Sequence, residues 1–209
     1  MNDRQAESDS HIRNTTTGVS ENADHPMTGH NDRWETIIDE MSATATEYRN
    51  AGWKTLELHP GDILPLPSEN GTDRTDLDSS ESADHTPTEE STTQDTSESH
   101  TRVGLDIIIP DNEFTQLAEI TSGETFDEYE SFRAEKGDVV FVVAAIKASA
   151  SDTVVFVPLY YQASDAERMT QRAITRGEIK LFVRPLSNDR QVVFSQSRPE
   201  LLLPAEFET

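Results

Sequence analysis

Apolar residues recur with a helical period in several stretches of the chain. In 31–50 they fall at offsets of 0, 3, 4, 7, 11 and 14 from Trp34, which places them on one face of a helix. Gly52 follows and predicts the helix end, because glycine readily adopts the left-handed conformation found there. A short helix is predicted after Pro110 and a third over 164–176.

The stretches between the helices have the composition of β-strands. The most apolar of them, 138–147, is predicted to be a central strand. Pro158 cannot donate a ladder hydrogen bond, so its strand is predicted to lie at an edge or to contain a bulge. The sequence His-Pro-Gly-Asp at 59–62 predicts a type II turn with Gly61 at positive φ. The predicted strands are 53–58, 63–67, 103–109, 126–134, 138–147, 153–161, 178–184 and 190–195.

The order of these elements indicates the fold class. The strands cluster and connect by short turns, and helices are few. We therefore predict a single α+β domain with a mainly antiparallel sheet and about three helices packed on it. A doubly wound parallel fold would need regular alternation of strands and helices, which this sequence lacks.

The distribution of charge predicts which segments fold. The 209 residues carry a formal net charge of −23. Residues 68–101 hold ten acidic residues and one basic residue, and Leu77 is their only large aliphatic side chain. Such a segment buries too little apolar area to offset its chain entropy, so we predict a disordered acidic linker there and a disordered acidic tail over 1–31. The domain then consists of a helix–strand part at 32–67 and a main α+β part at 102–205.

Composition also excludes several classes of function. The chain has no cysteine, so disulfide scaffolds, thiolate metal sites and thiol nucleophiles are excluded. A strongly acidic chain is a poor ligand for nucleic acids and anionic membranes, so neither is an expected partner. The longest apolar run has eight residues, whereas a membrane-spanning helix needs about 20. With no apolar signal near the N-terminus, we expect a cytoplasmic protein, and a protein partner remains open.

Motifs for cofactor, metal or nucleophile chemistry are missing from the sequence. Phosphate-binding glycine loops and nucleophile elbows do not occur. His59 and Asp62 form either a proton-transfer pair or an ordinary turn. Asp127, Glu128 and Glu130 form either a magnesium site or a solvated acidic face. We predict no catalytic residue, no cofactor and no metal.

One cluster of basic residues stands out against the acidic background. Arg168, Arg172 and Arg176 are spaced by four residues on the third helix, and Arg184 follows on the next strand. Like charges at this spacing repel each other, so neighbouring groups must compensate them. Surface acids are one explanation. The other is a site for phosphate, a carboxylate metabolite, an acidic partner or this protein's own linker, since guanidinium groups bind oxyanions well.

The composition is acidic and poor in lysine, with 4 lysines against 13 arginines, and it resembles that of haloarchaeal cytoplasmic proteins. Four stretches resemble an uncharacterised haloarchaeal domain family across 32–67 and 102–204. They are Trp-Lys-Thr-Leu-Glu-Leu-His-Pro-Gly-Asp at 53–62, Phe-Asp-Glu-Tyr-Glu at 126–130, Val-Pro-Leu-Tyr-Tyr at 157–161 and Val-Arg-Pro-Leu-Ser at 183–187. The resemblance implies no activity and no catalytic residue.

These observations favour a non-catalytic interaction or regulatory module that works in a salt-adapted cytoplasm. The alternative is a small metal-independent enzyme, a hydrolase or transferase, or an anion-binding protein that uses the arginine cluster. A deep pocket containing His59, Asp62 or the arginines would favour the enzyme. A flat polar surface there would favour the module.

Overall fold

The computed structural model describes residues 29–67 and 102–205. Our predictions for 1–28 and 68–101 lie outside these residues. Within the described part, eight strands form two four-stranded sheets, accompanied by three α-helices. The helices are α1 (Asn31–Asn50), α2 (Asp111–Thr121) and α3 (Glu167–Arg176). The strands are β1 (Lys54–Glu57), β2 (Asp62–Leu66), β3 (Gly104–Ile108), β4 (Glu128–Lys136), β5 (Val139–Ala148), β6 (Thr153–Gln162), β7 (Ile179–Arg184) and β8 (Val192–Gln196).

The first sheet has the strand order β1–β6–β5–β4. Its two inner strands, β5 and β6, are buried at almost every position. Helix α1 lies across β1, β6 and β5 and buries Ile37, Met41 and Ala45, the apolar face predicted from the sequence. Strand β4 is the outer strand and alternates between exposed and partly buried residues over most of its length.

The second sheet has the order β2–β3–β7–β8. Its inner strands β3 and β7 run parallel, whereas the β2–β3 and β7–β8 pairs are antiparallel. Both sheets contribute side chains to one hydrophobic core. Because β3 and β7 are parallel, their carboxyl ends meet at one edge of the sheet. That edge carries the candidate site.

The α+β prediction is confirmed, with two refinements. The strands form two sheets rather than one, and both sheets are mixed because β1 pairs with β6, and β3 with β7, in parallel. The other four pairings of the described strands are antiparallel. No described helix is both long and apolar enough to cross a membrane.

Two local predictions are wrong for identifiable reasons. Strand β6, which contains Pro158, is an inner strand without a bulge, since its register with β5 is unbroken from Thr153 to Gln162. On its other side, the pairing with β1 extends only to Phe156, so the proline lies where no second ladder needs its N–H. Gly61 is outside the positive-φ region that a type II turn requires, and its N–H donates to the carbonyl of Ile108 instead.

Candidate functional site

An open groove lies where the parallel strands β3 and β7 end. It has a volume of about 740 Å³. After β3 the chain passes through Pro110 into α2, and after β7 it enters the loop at Leu186–Asn188. The carboxyl ends of parallel strands are common places for ligand binding, because the chain diverges there and leaves a crevice. The polar side chains that line the groove are His59, Asp62, Arg184, Ser187 and Asn188.

Arg184 forms the buried base of this groove. Only 5% of its surface is exposed, and its Nε and Nη2 donate to both carboxylate oxygens of Asp106, with Nη2 to Oδ2 at 2.7 Å. Asp106 lies directly across the β3–β7 ladder from Phe182 and is itself 3% exposed. A buried charge of either sign is tolerated only when it is paired and hydrogen bonded. The two residues therefore fix each other in the core.

His59 lies at the rim of the groove and pairs with a residue of α2. Its backbone N–H donates to Glu113 Oε2 at 2.7 Å, and its Nδ1 lies 3.1 Å from Glu113 Oε1. The sequence left open a proton-transfer pair of His59 with Asp62 or an ordinary turn, and in the structure Glu113 contacts the ring. The His59 side chain is 52% exposed, so the ring is held at one end and accessible at the other.

The loop after β7 is fixed onto α2 by charged and aromatic contacts. Asn188 takes a left-handed conformation with φ of 56°, and Ser187 Oγ donates to Asp189 Oδ1 at 2.6 Å. This hydrogen bond lowers the pKa of Asp189. Arg190 Nη2 lies 3.6 Å from Asp111 Oδ1, and its guanidinium lies 5.0 Å from the ring centre of Phe114. Leu186 projects from this anchored loop and is 78% exposed.

The structure separates the four arginines that the sequence singled out. Arg168 and Arg172 are partly buried on α3, and Arg176 is exposed near its C-terminal end. The three line neither the groove nor a smaller cavity of about 310 Å³ beside α3, whose walls include Glu167 and other residues of that helix. Arg184 belongs to the groove, where Asp106 engages it.

A further cavity lies between α1 and β4 and has a volume of about 220 Å³. We call it the α1–β4 cleft. Ile37 and Met41 line it from the helix, and Phe132, Phe141 and Val143 line it from the sheet. Phe132, which lines the cleft from β4, is 52% exposed.

The acidic cluster near the start of β4 is organised around a lysine. Lys147 Nζ lies 2.7 Å from Glu130 Oε1 and 3.5 Å from Glu128 Oε2. The hydrogen bond from Lys147 lowers the pKa of Glu130, and a bond from Tyr48 adds to the effect. Asp127 accepts a bond from the Ser149 N–H. In the part of the chain that the structure describes, no three histidine, aspartate or glutamate side chains are grouped so as to hold a metal ion.

The partners of two groove residues, Asp106 for Arg184 and Glu113 for His59, were not predicted from the sequence. Asp106 interrupts an otherwise apolar strand, and an isolated charge in such a strand signals a buried partner. Its position opposite β7 depends on a parallel pairing that the sequence does not reveal. Glu113 resembles an ordinary first-turn acid of a helix, so only the three-dimensional structure connects it with His59.

Together, the two mixed sheets define a single-domain α+β protein with an open, partly polar groove at the β3–β7 edge. The chain belongs to DUF7529, a family of unknown function, whose family model matches residues 20–80 and 79–204. The match also covers residues 20–31 and 68–101, which lie outside the family resemblance predicted from the sequence. The chain matches none of the curated proteins and none of the solved structures with which it was compared.

Proposed function

We propose that this protein is a non-catalytic interaction module that binds an extended segment of a protein partner in the groove. The observation that carries the proposal is that polar side chains of the groove are already fixed by partners within the fold. Asp106 holds Arg184, and Glu113 holds His59. Groups fixed in this way form a preorganised surface, which binds without the entropic cost of ordering its side chains.

The shape and chemistry of the groove support a peptide segment as the ligand. The groove is open rather than enclosed, and both an amide side chain, Asn188, and a carboxylate, Asp62, line it. Leu186, at 78% exposure, supplies an apolar contact at its rim. Protein interfaces combine a few apolar contacts with directed hydrogen bonds in this way. The net charge of −23 opposes nucleic acid as the partner.

Affinity capture with matched variants tests the proposal. Leu186→Asp places a charge at the groove, and Val193→Asp places one at a 47% exposed position on β8, away from the residues that line the groove. We expect at least one protein to be enriched by the wild type and by Val193→Asp but lost with Leu186→Asp. Identical captures by all three chains would contradict the proposal. Thermal melting of both variants checks that they remain folded.

A second candidate, a small metal-independent hydrolase or transferase, is favoured by the contact between His59 and Glu113. A carboxylate at Nδ1 orients an imidazole so that its other nitrogen can accept a proton. This function would require turnover of a panel of activated esters by the wild type and its loss in His59→Gln. Equal rates for both proteins would exclude His59 as a base.

A third candidate is anion binding by the arginines of α3. The four-residue spacing of Arg168, Arg172 and Arg176 supports it, since guanidinium groups on one helix face suit carboxylates and phosphates. A polyglutamate peptide serves as the probe. The Arg172→Gln/Arg176→Gln variant should lose salt-sensitive binding that the control Arg198→Gln retains. An unchanged binding isotherm for the double variant would rule this candidate out.

We further propose that the protein works in the cytoplasm of a salt-adapted cell. The support is the composition, with 40 acidic residues against 17 basic ones. Concentrated salt screens the mutual repulsion of such charges.

A further inference from the structure

Strand β4 is the outer strand of the first sheet, and one side of it carries no partner among the described strands. Among the described strands, this side of β4 leaves the main-chain donors and acceptors of its nine residues available to another strand. Proteins usually block such edges with charged side chains that repel a second copy. Strand β4 instead begins with an acidic residue, Glu128, and ends with a basic one, Lys136.

We propose that β4 pairs antiparallel with β4 of a second copy of this chain, about a two-fold axis at Phe132. This interface lies outside the groove and goes beyond the proposed function. In this register Glu128 lies opposite Lys136 of the second copy, and Lys136 opposite its Glu128. Cross-strand pairs of opposite charge stabilise a sheet, and the two-fold axis supplies this pair twice.

The remaining pairs in this register are also compatible. Phe132 lies opposite itself, and Glu130 lies opposite Ala134. On the other face, Ser131 lies opposite Arg133, and Tyr129 lies opposite Glu135. Arg133 and Glu135 also contact residues 200–205 of their own chain. No two like charges face each other along the strand.

The two neighbouring registers in which opposite side chains still point to the same face of the sheet are less favourable electrostatically. Moving the axis to Ser131 places Asp127 opposite Glu135. Moving the axis to Arg133 places Glu128 opposite Asp138. Both shifts create a pair of acids at the strand ends, and like charges directly opposite each other destabilise a pairing. The sequence of β4 is therefore most compatible with the axis at Phe132.

Two features of the fold support a second copy as the occupant of this edge. Lys136 contacts no acidic side chain within the described part of the chain, although the protein is strongly acidic. In the proposed register, Lys136 lies opposite Glu128 of the second copy. Phe132, 52% exposed beside the α1–β4 cleft, would contact its equivalent, and the two clefts would adjoin across the axis.

Sedimentation equilibrium of the full chain tests the proposal, with two charge-reversal variants. We expect the wild type to be a dimer and Lys136→Glu to dimerise about tenfold more weakly, because the axis applies each unfavourable pair twice. Lys54→Glu is the matched control, since Lys54 is an exposed lysine on β1, the opposite edge of the same sheet. A monomeric wild type, or equal weakening by both variants, would overturn the proposal.

Cysteine cross-linking provides an independent measurement of the register. The chain has no natural cysteine, so a single introduced thiol can only pair with its equivalent in another chain. Directly opposite residues of antiparallel strands lie within disulfide reach. Phe132→Cys should form a covalent dimer on mild oxidation, whereas Val193→Cys, similarly exposed on β8, should not. Cross-linking of Val193→Cys alone would overturn the proposal.

Discussion

At the residue scale, the pair formed by Asp106 and Arg184 is the contact on which the groove most depends. Removing one partner of a buried ion pair leaves an uncompensated charge in the core. We predict that Asp106→Ala lowers the free energy of unfolding by about 3–5 kcal/mol in urea titrations. The control Glu57→Gln, which removes the contact to the 44% exposed Arg49, should cost less than about 1 kcal/mol. Equal losses of unfolding free energy in the two variants would contradict the prediction that the buried ion pair contributes more to stability than the exposed one.

The burial of Tyr129, on β4, leads to a prediction about the stability of the protein at alkaline pH. Burial raises its pKa from 10.0 to about 12. Between these values the unfolded chain releases the phenolic proton and the folded chain keeps it, so stability falls as pH rises through this window. Melting temperatures measured from pH 9 to 12 should fall less steeply for Tyr129→Phe than for the wild type. Parallel curves would contradict this assignment.

At the element scale, the start of β3 requires a residue without a side chain. Gly104 has φ of 148°, and a Cβ added there would lie 1.8 Å from the carbonyl oxygen of Lys180 on β7. Gly104→Ala should therefore lower the free energy of unfolding by about 1–3 kcal/mol or more, because one strand must move. Gly61→Ala is the control, since Gly61 has no positive φ and a Cβ added there would meet no atom within 4 Å. Equal stability of the two variants would refute the close approach of β3 and β7.

The elements that sequence analysis predicted well are those defined by local patterns. The periodic apolar residues of α1 and the glycine that follows it were sufficient to predict that helix, because these features depend on neighbours in sequence. The position of β6 was predicted wrongly, because whether Pro158 is tolerated depends on where β1 ends. The parallel pairing of β3 with β7 joins strands more than 70 residues apart, and no local pattern indicates it.

The contacts of the candidate site were also hidden from the sequence, because they join residues of distant elements. The sequence drew attention to His59 and Arg184 but assigned them to different sites. Their partners, Glu113 and Asp106, come from other elements and became apparent only in the folded chain. The arginines of α3 were conspicuous because their spacing is visible in the sequence, whereas the groove is built from residues that meet only through sheet topology.

At the scale of the whole molecule, the net charge of −23 leads us to predict that thermal stability depends on salt concentration. The Debye length increases from about 3 Å at 1 M to about 10 Å at 0.1 M, so repulsion between surface acids acts over a longer range in dilute salt. The melting temperature should therefore fall as potassium chloride is lowered from molar concentration to 0.1 M. Equal melting temperatures at both concentrations would contradict this expectation.

Site-specific photo-cross-linking tests directly whether a protein partner occupies the groove. Leu186 is replaced by the photoreactive residue p-benzoylphenylalanine in one chain, and Val193 is replaced by it in a control chain. We expect a covalent adduct with one partner protein from position 186 and none with that partner from position 193. The same adduct from both positions, or adducts from position 193 alone, would contradict it.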